Sequence, residues 1–186
     1  MEMARQLLPL LAFLILHLMP SNAYGKHYLY KQILLNTGFP TTLNCISSDT
    51  KGFVWTGTKF GLGRFDGHEQ KRYLHQPGDS TSLPGNYIYQ ILEDSAHHLW
   101  ILTDMGVARY NQFISLKNRD GKPCIAYSIC QWNHLLLLGG INKVYSFDLR
   151  TGAFTTFQEL QHPNRFEIIR MAVSKGERLL CCSRWE

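Results

Sequence analysis

The stretch from Leu43 to Asp66, LNCISSDTKGFVWTGTKFGLGRFD, returns 45 residues later as IYQILEDSAHHLWILTDMGVARYN, Ile88 to Asn111. Six positions are identical: Ile46/Ile91, Asp49/Asp94, Trp55/Trp100, Thr58/Thr103, Gly61/Gly106 and Arg64/Arg109. Four more are conservative, namely Leu43/Ile88, Leu62/Val107, Phe65/Tyr110 and Asp66/Asn111. Unrelated segments of this length share about one or two identities by chance, so the segment is an internal repeat. A period in the forties, with short β-rich runs separated by Gly and Asp turns, predicts the blades of a β-propeller.

Each part of the unit has a physical reading. Leu43-Asn44-Cys45-Ile46 is a β-rich run, and Asp49-Thr50-Lys51-Gly52 supplies a turn in which Asp bonds the backbone and Gly takes positive φ. On the next strand Phe53, Trp55 and Gly57 share one face, so an aromatic residue packs against the neighbouring blade where Gly57 leaves room. Lys59-Phe60-Gly61 reverses the chain into Leu62-Gly63-Arg64-Phe65, and Gly67-His68 leads into an outer strand over Glu69 to Tyr73. The second copy departs from the first at two places. His97-His98 stands where the turn glycine was, and Leu102 replaces Gly57.

Leu135 to Gly140 followed by Val144 to Asp148 repeats the strand, turn, strand order without the Trp, Phe147 lying 37 residues after Tyr110. Phe154 to Phe157 forms its outer strand, and Ile168 to Val173 with Arg178 to Cys182 reads as the first hairpin of a fourth unit. The expected fold is therefore all-β: a partial β-propeller of about three and a half four-stranded antiparallel blades. The blades fall approximately at 37–78, 79–119 and 120–160, with a partial one at 161–186.

The series Leu43-x-x-Ile46-x-x-Asp49-x-x-Gly52-Phe53-Val54-Trp55-Thr56-Gly57-Thr58-x-x-Gly61-Leu62-x-Arg64-Phe65-Asp66-Gly67 resembles the blade signature of the two-component regulator propeller family. Ser82-Leu83 with Asn86, Tyr87 and Ile88 is similar to that family's inter-blade lead-in, and the likeness is close over 36–112 and loose over 113–182. The resemblance implies the amino-terminal fragment of a periplasmic input region of a hybrid sensor histidine kinase. Its implied partners are an oligosaccharide ligand, the remaining blades and kinase region of the parent, and a second parent copy as a dimer. No segment resembles a kinase, so no enzymatic activity is assigned. The alternatives are an exported propeller enzyme acting on glycans and a secreted protein-interaction scaffold.

The amino terminus predicts export. Met1 to Arg5 carries a positive end, and Leu7 to Met19 is a 13-residue apolar run interrupted by Pro9 and His17. Small residues at Ala23 and Gly25 offer cleavage sites, so residues 1–25 read as a signal peptide ahead of an incomplete propeller at 26–186. The expected location is periplasmic or exported, with an inner-membrane-anchored parent. Net charge is +5 and the basic residues are scattered, so no nucleic-acid partner is expected. Among the five cysteines, a Cys124–Cys130 bridge is set against buried free thiols in strands, the preferred reading, and the spacing matches no common zinc site.

No catalytic residue, metal ligand or cofactor is assigned. His97-His98 reads as a solvated turn rather than a metal pair, since no third ligand lies near in sequence. The repeated Asp49, Trp55, Gly61, Arg64, Asp94, Trp100, Gly106 and Arg109 read as a structural frame, because a residue recurring at one blade position serves the blade. Ligand contacts are expected where the frame varies, in the turns after the Trp strands: Lys59 and Phe60 in the first blade, Asp104 and Met105 in the second. The plain alternative is that these are turn positions tolerant of any residue.

Overall fold

The computed structural model describes residues 42–111, 113–118, 120–161, 164–174 and 178–185. The signal peptide expected over 1–25, and residues 37–41 of the first expected blade, lie outside them. Three four-stranded antiparallel sheets and one two-stranded sheet follow one another in chain order. The first holds β1 (Leu43–Ser48), β2 (Val54–Thr58), β3 (Gly61–Phe65) and β4 (Gln70–Tyr73). The second holds β5 (Ile88–Glu93), β6 (Leu99–Thr103), β7 (Gly106–Arg109) and β8 (Ile114–Ser115). The third holds β9 (Ser128–Trp132), β10 (Leu135–Gly139), β11 (Lys143–Asp148) and β12 (Phe154–Glu159), and the hairpin of β13 (Phe166–Val173) and β14 (Leu179–Trp185) begins a fourth. The first strands β1, β5, β9 and β13 touch in succession, forming the inner wall of an open row of blades.

Register makes the repeat explicit. Gly57 faces Cys45 and Leu62, Leu102 faces Gln90 and Val107, and Gly139 faces Ser128 and Val144. These three positions are therefore equivalent, and two residues before them stand Trp55, Trp100 and Leu137. The missing third Trp is replaced by leucine. Each of the three is buried in the cluster that joins its blade to the next: Trp55 with Ile88 and Ile91, Trp100 with Ala126 and Ile129, Leu137 with Ile168. At two of the three junctions glycine sets the approach. A Cβ on Gly57 would lie 2.7 Å from Ile88 Cγ2, and one on Gly139 would lie 2.8 Å from Ile168 Cγ2, both inside van der Waals contact.

The shared Asp ties turn to core. Asp49 Oδ1 accepts from Lys51 N and Phe53 N, and its Oδ2 accepts from Trp55 Nε1 at 2.8 Å. Asp94 repeats the pattern with Ala96 N, His98 N and Trp100 Nε1, again at 2.8 Å. The indole of each Trp would otherwise bury an unpaired donor, and the same carboxylate closes the turn that begins its strand. Gly52 takes φ 85° in the first turn and His97 takes φ 63° in the second, so the second blade holds a bulky residue in left-handed backbone.

Neighbouring blades are also joined edge to edge and backbone to side chain. Tyr110 packs edge-on to Trp55 with ring centres 4.8 Å apart, and Phe147 does so to Trp100 at 5.5 Å. Asn44 Nδ2 donates to Ile88 O, the Gln90 side chain bonds both Ile129 N and Ile129 O, and Ser128 Oγ donates to Ile168 O. Thus a polar side chain on each inner strand grips the backbone of the next. Ile91 is 6% exposed against the first blade, whereas Ile46, its equivalent, is 66% exposed because no described blade precedes it.

The cysteines depart from the expectation of buried strand thiols. All five are free; Cys124 is buried but lies in the segment between β8 and β9, while Cys181 and Cys182 on β14 are exposed. They sit on the hairpin whose outer face no described blade covers.

Candidate functional site at the inner rim

Three of the four inner strands carry a β-bulge that re-aims one residue. The pairing skips a position between Leu43 and Cys45 in β1, between Ile88 and Gln90 in β5, and between Ile168 and Arg170 in β13. Asn44, Tyr89 and Ile169 are thereby released from the ladder. In the third blade Tyr127 holds the corresponding place ahead of Ser128, its N–H donating to Gly139 O. A tyrosine thus stands at the same rim position of two adjacent blades, Tyr89 at the bulge of β5 and Tyr127 just ahead of β9. The Tyr89 and Tyr127 rings lie 5.8 Å apart, and Tyr87 extends the series at 4.9 Å from Tyr89.

Charged groups border this aromatic run. Lys59 Nζ stands 5.8 Å from the Tyr87 ring centre, and Asp104 N donates to Tyr87 O at 3.1 Å. Glu167, buried at the start of β13, is paired with Arg184 on β14. Burial first, then the Asp104 carboxylate, Tyr87 and Glu167 push the Tyr89 phenol upward, with Arg184 opposing. Tyr127 is raised by burial, then by the charge and hydrogen bonding of Glu167 and by Tyr89, with Arg165 opposing. Both phenols consequently stay protonated and can donate hydrogen bonds at neutral pH.

The turns expected to contact ligand are built alike. Thr58 Oγ1 donates to Gly61 O and accepts from Phe60 N; Thr103 Oγ1 donates to Gly106 O and accepts from Met105 N. With Gly61 at φ 121° and Gly106 at φ 145°, these frame residues fix the reversal and leave the two tip residues free to vary. Lys59 and Asp104 reach the tyrosine run. Phe60 and Met105 project outward, 55% and 57% exposed, and no ring contact joins them to it among the described residues. The Trp residues and their Asp partners lie in the core, Arg64 contacts Phe53 and Tyr110 at the opposite end of the blades, and Arg109 pairs with Trp100 across β6 and β7.

Tyr89, Tyr127 and Glu167 were not singled out by sequence, and Tyr87 was read only as part of the inter-blade lead-in. Tyr87 and Tyr89 alternate as a strand face would, but the bulge that turns Tyr89 toward the rim leaves no mark in hydrophobic periodicity. Among the described residues no cluster of three metal-ligating side chains occurs.

Comparison with known proteins bears on the fold. Residues 82–105, from the lead-in through the β6–β7 turn, match the family model described as two component regulator propeller. Histidine kinase P4 of Formosa agariphila is 50% identical over 38 residues, 20% of this chain and 3% of that protein. Among solved structures, the extracellular domain assigned to a one component system of B. thetaiotaomicron has a TM-score of 0.66 at 18% identity, over 83% of this chain and 21% of that one. The extracellular domain assigned to a hybrid two component system of the same organism gives 0.60 at 23% identity, over 73% of this chain and 21% of that one. At these identities the structural likeness speaks for the fold, and the chain spans about a fifth of either solved chain. Residues 82–105 thus match a repeat of the two-component regulator propeller type, and the described residues fold as a run of propeller blades.

Proposed function

We propose that this chain is part of the ligand-sensing input region of an exported two-component signalling protein, and that the ligand is an oligosaccharide held on the rim tyrosines. The family match over the second blade supports the sensory role. The tyrosine run carries the ligand class. Three phenol rings in series, bordered by Lys59, Asp104 and Glu167, offer flat faces for sugar C–H groups together with donors and acceptors for hydroxyls. In this reading the chain performs no chemistry; it binds, and the parent receptor shifts between two conformations according to its differing affinity for ligand in each. Of the two rim carboxylates, Glu167 is engaged with Arg184, while Asp104 is held beside Tyr87 by its backbone N–H.

Saturation-transfer NMR against a panel of neutral oligosaccharides tests the assignment. Tyr89→Ala and Tyr127→Ala should each weaken binding by about 1–3 kcal/mol per lost stacking face. Phe60→Ala should leave it unchanged. Binding that survives both tyrosine substitutions would place the ligand elsewhere.

A further inference from the structure

Arg64 carries a guanidinium with no carboxylate of the described residues within ion-pair distance. It extends from β3 into the junction of the first two blades at the end opposite the rim, with Cζ 4.4 Å from the Phe53 ring centre. One edge is used: Nη1 donates to Tyr110 Oη at 3.3 Å, and Tyr110 Oη in turn meets Tyr73 Oη at 3.0 Å. Its Nε is buried with no hydrogen-bond partner, and no carboxylate among the described residues lies within ion-pair distance of it. The shielded Nε is out of reach of any ligand, so the donors left for an anion are Nη2 and the second N–H of Nη1.

Arg64 faces a cleft of about 350 Å³ whose other walls include Asp49, Lys51, Glu93, His97, His98 and Tyr110. The two carboxylates of that wall are committed to structure. Asp49 accepts from the turn and from Trp55, and Glu93 accepts from Thr50 N at 2.9 Å and Thr50 Oγ1 at 2.7 Å. What the cleft leaves unmatched is donors: the Nη2 end of the Arg64 guanidinium and Lys51. The arrangement is particular to this junction. At the next one Phe147 holds the place of Tyr110, so the equivalent Arg109 has no phenol to orient it.

We propose that the cleft between the first and second blades binds a small carboxylate, paired through the planar fork of Arg64 and assisted by Lys51. Guanidinium matches carboxylate geometry with two parallel hydrogen bonds, and the stacked Phe53 and bonded Tyr110 hold the fork in one plane before ligand arrives. The volume admits a molecule the size of one sugar ring. This site is separate from the tyrosine rim and does not depend on the oligosaccharide assignment.

The test uses the full chain with glucuronate and glucose as a matched pair differing by the carboxylate, in thermal-shift and calorimetric titrations at constant ionic strength. Glucuronate should raise the melting temperature and give a saturable heat; glucose should do neither. Arg64→Lys should weaken glucuronate at least about tenfold, the loss of one bidentate pair. Lys51→Ala, at an exposed turn position and free of any effect on the core, should weaken it severalfold. Tyr89→Ala should leave it intact, which separates this site from the rim. No response to glucuronate, an equal response to glucose, or affinity unchanged in both Arg64→Lys and Lys51→Ala would overturn the proposal.

Discussion

Replacing Asp94 with alanine should be among the most damaging single changes in the chain. Asp94 is 3% exposed, and its carboxylate accepts from Trp100 Nε1 at 2.8 Å, Ala96 N at 2.8 Å and His98 N at 2.9 Å. Removing it strands the indole N–H in the core, which costs about 1–3 kcal/mol, and trades two turn bonds for weaker ones to water at about 0.5–1 kcal/mol each. The expected loss is about 2–5 kcal/mol, or a fall of roughly 4–20 °C in melting temperature for a domain of this size. Asp94→Asn keeps the acceptor for the turn but sets an amide or a poorer acceptor against the indole, and should lose about half as much. Urea unfolding followed by Trp fluorescence measures both. The pH dependence supplies a second check. Burial pushes the Asp94 carboxyl up, but the donors from Trp100, His98 and Ala96 outweigh it and hold it below the ordinary carboxylate value. Its stabilisation is therefore complete above an ordinary carboxylate pKa and fades as pH falls through the lowered folded value. The gap between wild type and Asp94→Ala should narrow below about pH 4. A variant within about 0.5 kcal/mol of wild type, or a gap that widens in acid, would refute the reasoning.

Three further outcomes follow from the blade junctions and turns. Gly57→Ala drives a methyl into Ile88 of the next blade and should cost about 1–3 kcal/mol in urea unfolding, as should Gly139→Ala against Ile168. His97→Gly relieves left-handed backbone at φ 63° at the expense of exposed contacts to Thr50 and Glu93, and should stabilise by about 0.5–1 kcal/mol in the same assay. Thiol labelling of the native protein at pH 8 should be fast at Cys182 and then Cys181, and slow at Cys45, Cys124 and Cys130 until the chain unfolds. Burial holds those three thiols up at about 11, about 12 and about 11 respectively.

The blades were legible in the sequence because their frame residues act locally. Asp49 and Trp55 lie six residues apart in one hairpin, and Gly61 makes the next turn, so identity at a fixed offset was enough to find them. Equivalence of Leu137 to the Trp positions was not legible, since a buried leucine satisfies the same junction without any side-chain hydrogen bond. The tyrosine rim escaped for a different reason. Whether Tyr89 faces the rim depends on a bulge between Ile88 and Gln90, and its approach to Tyr127 depends on two blades packing side by side. Neither is a property of one segment. The unpaired state of Arg64 was hidden likewise: its recurrence at Arg109 marked it as structural, while the phenol that orients only the first of the two lies in the following blade.

The sensing account is tested most directly by equilibrium dialysis of the chain against an end-labelled neutral oligosaccharide pool, with the retained sugar identified by mass spectrometry. The account predicts that a subset is retained, recovered unchanged in length, and lost when Tyr89 and Tyr127 are both replaced by alanine. Shortened or chemically altered sugar would identify a propeller enzyme instead, and retention unaffected by the tyrosine substitutions would contradict the rim as the binding site.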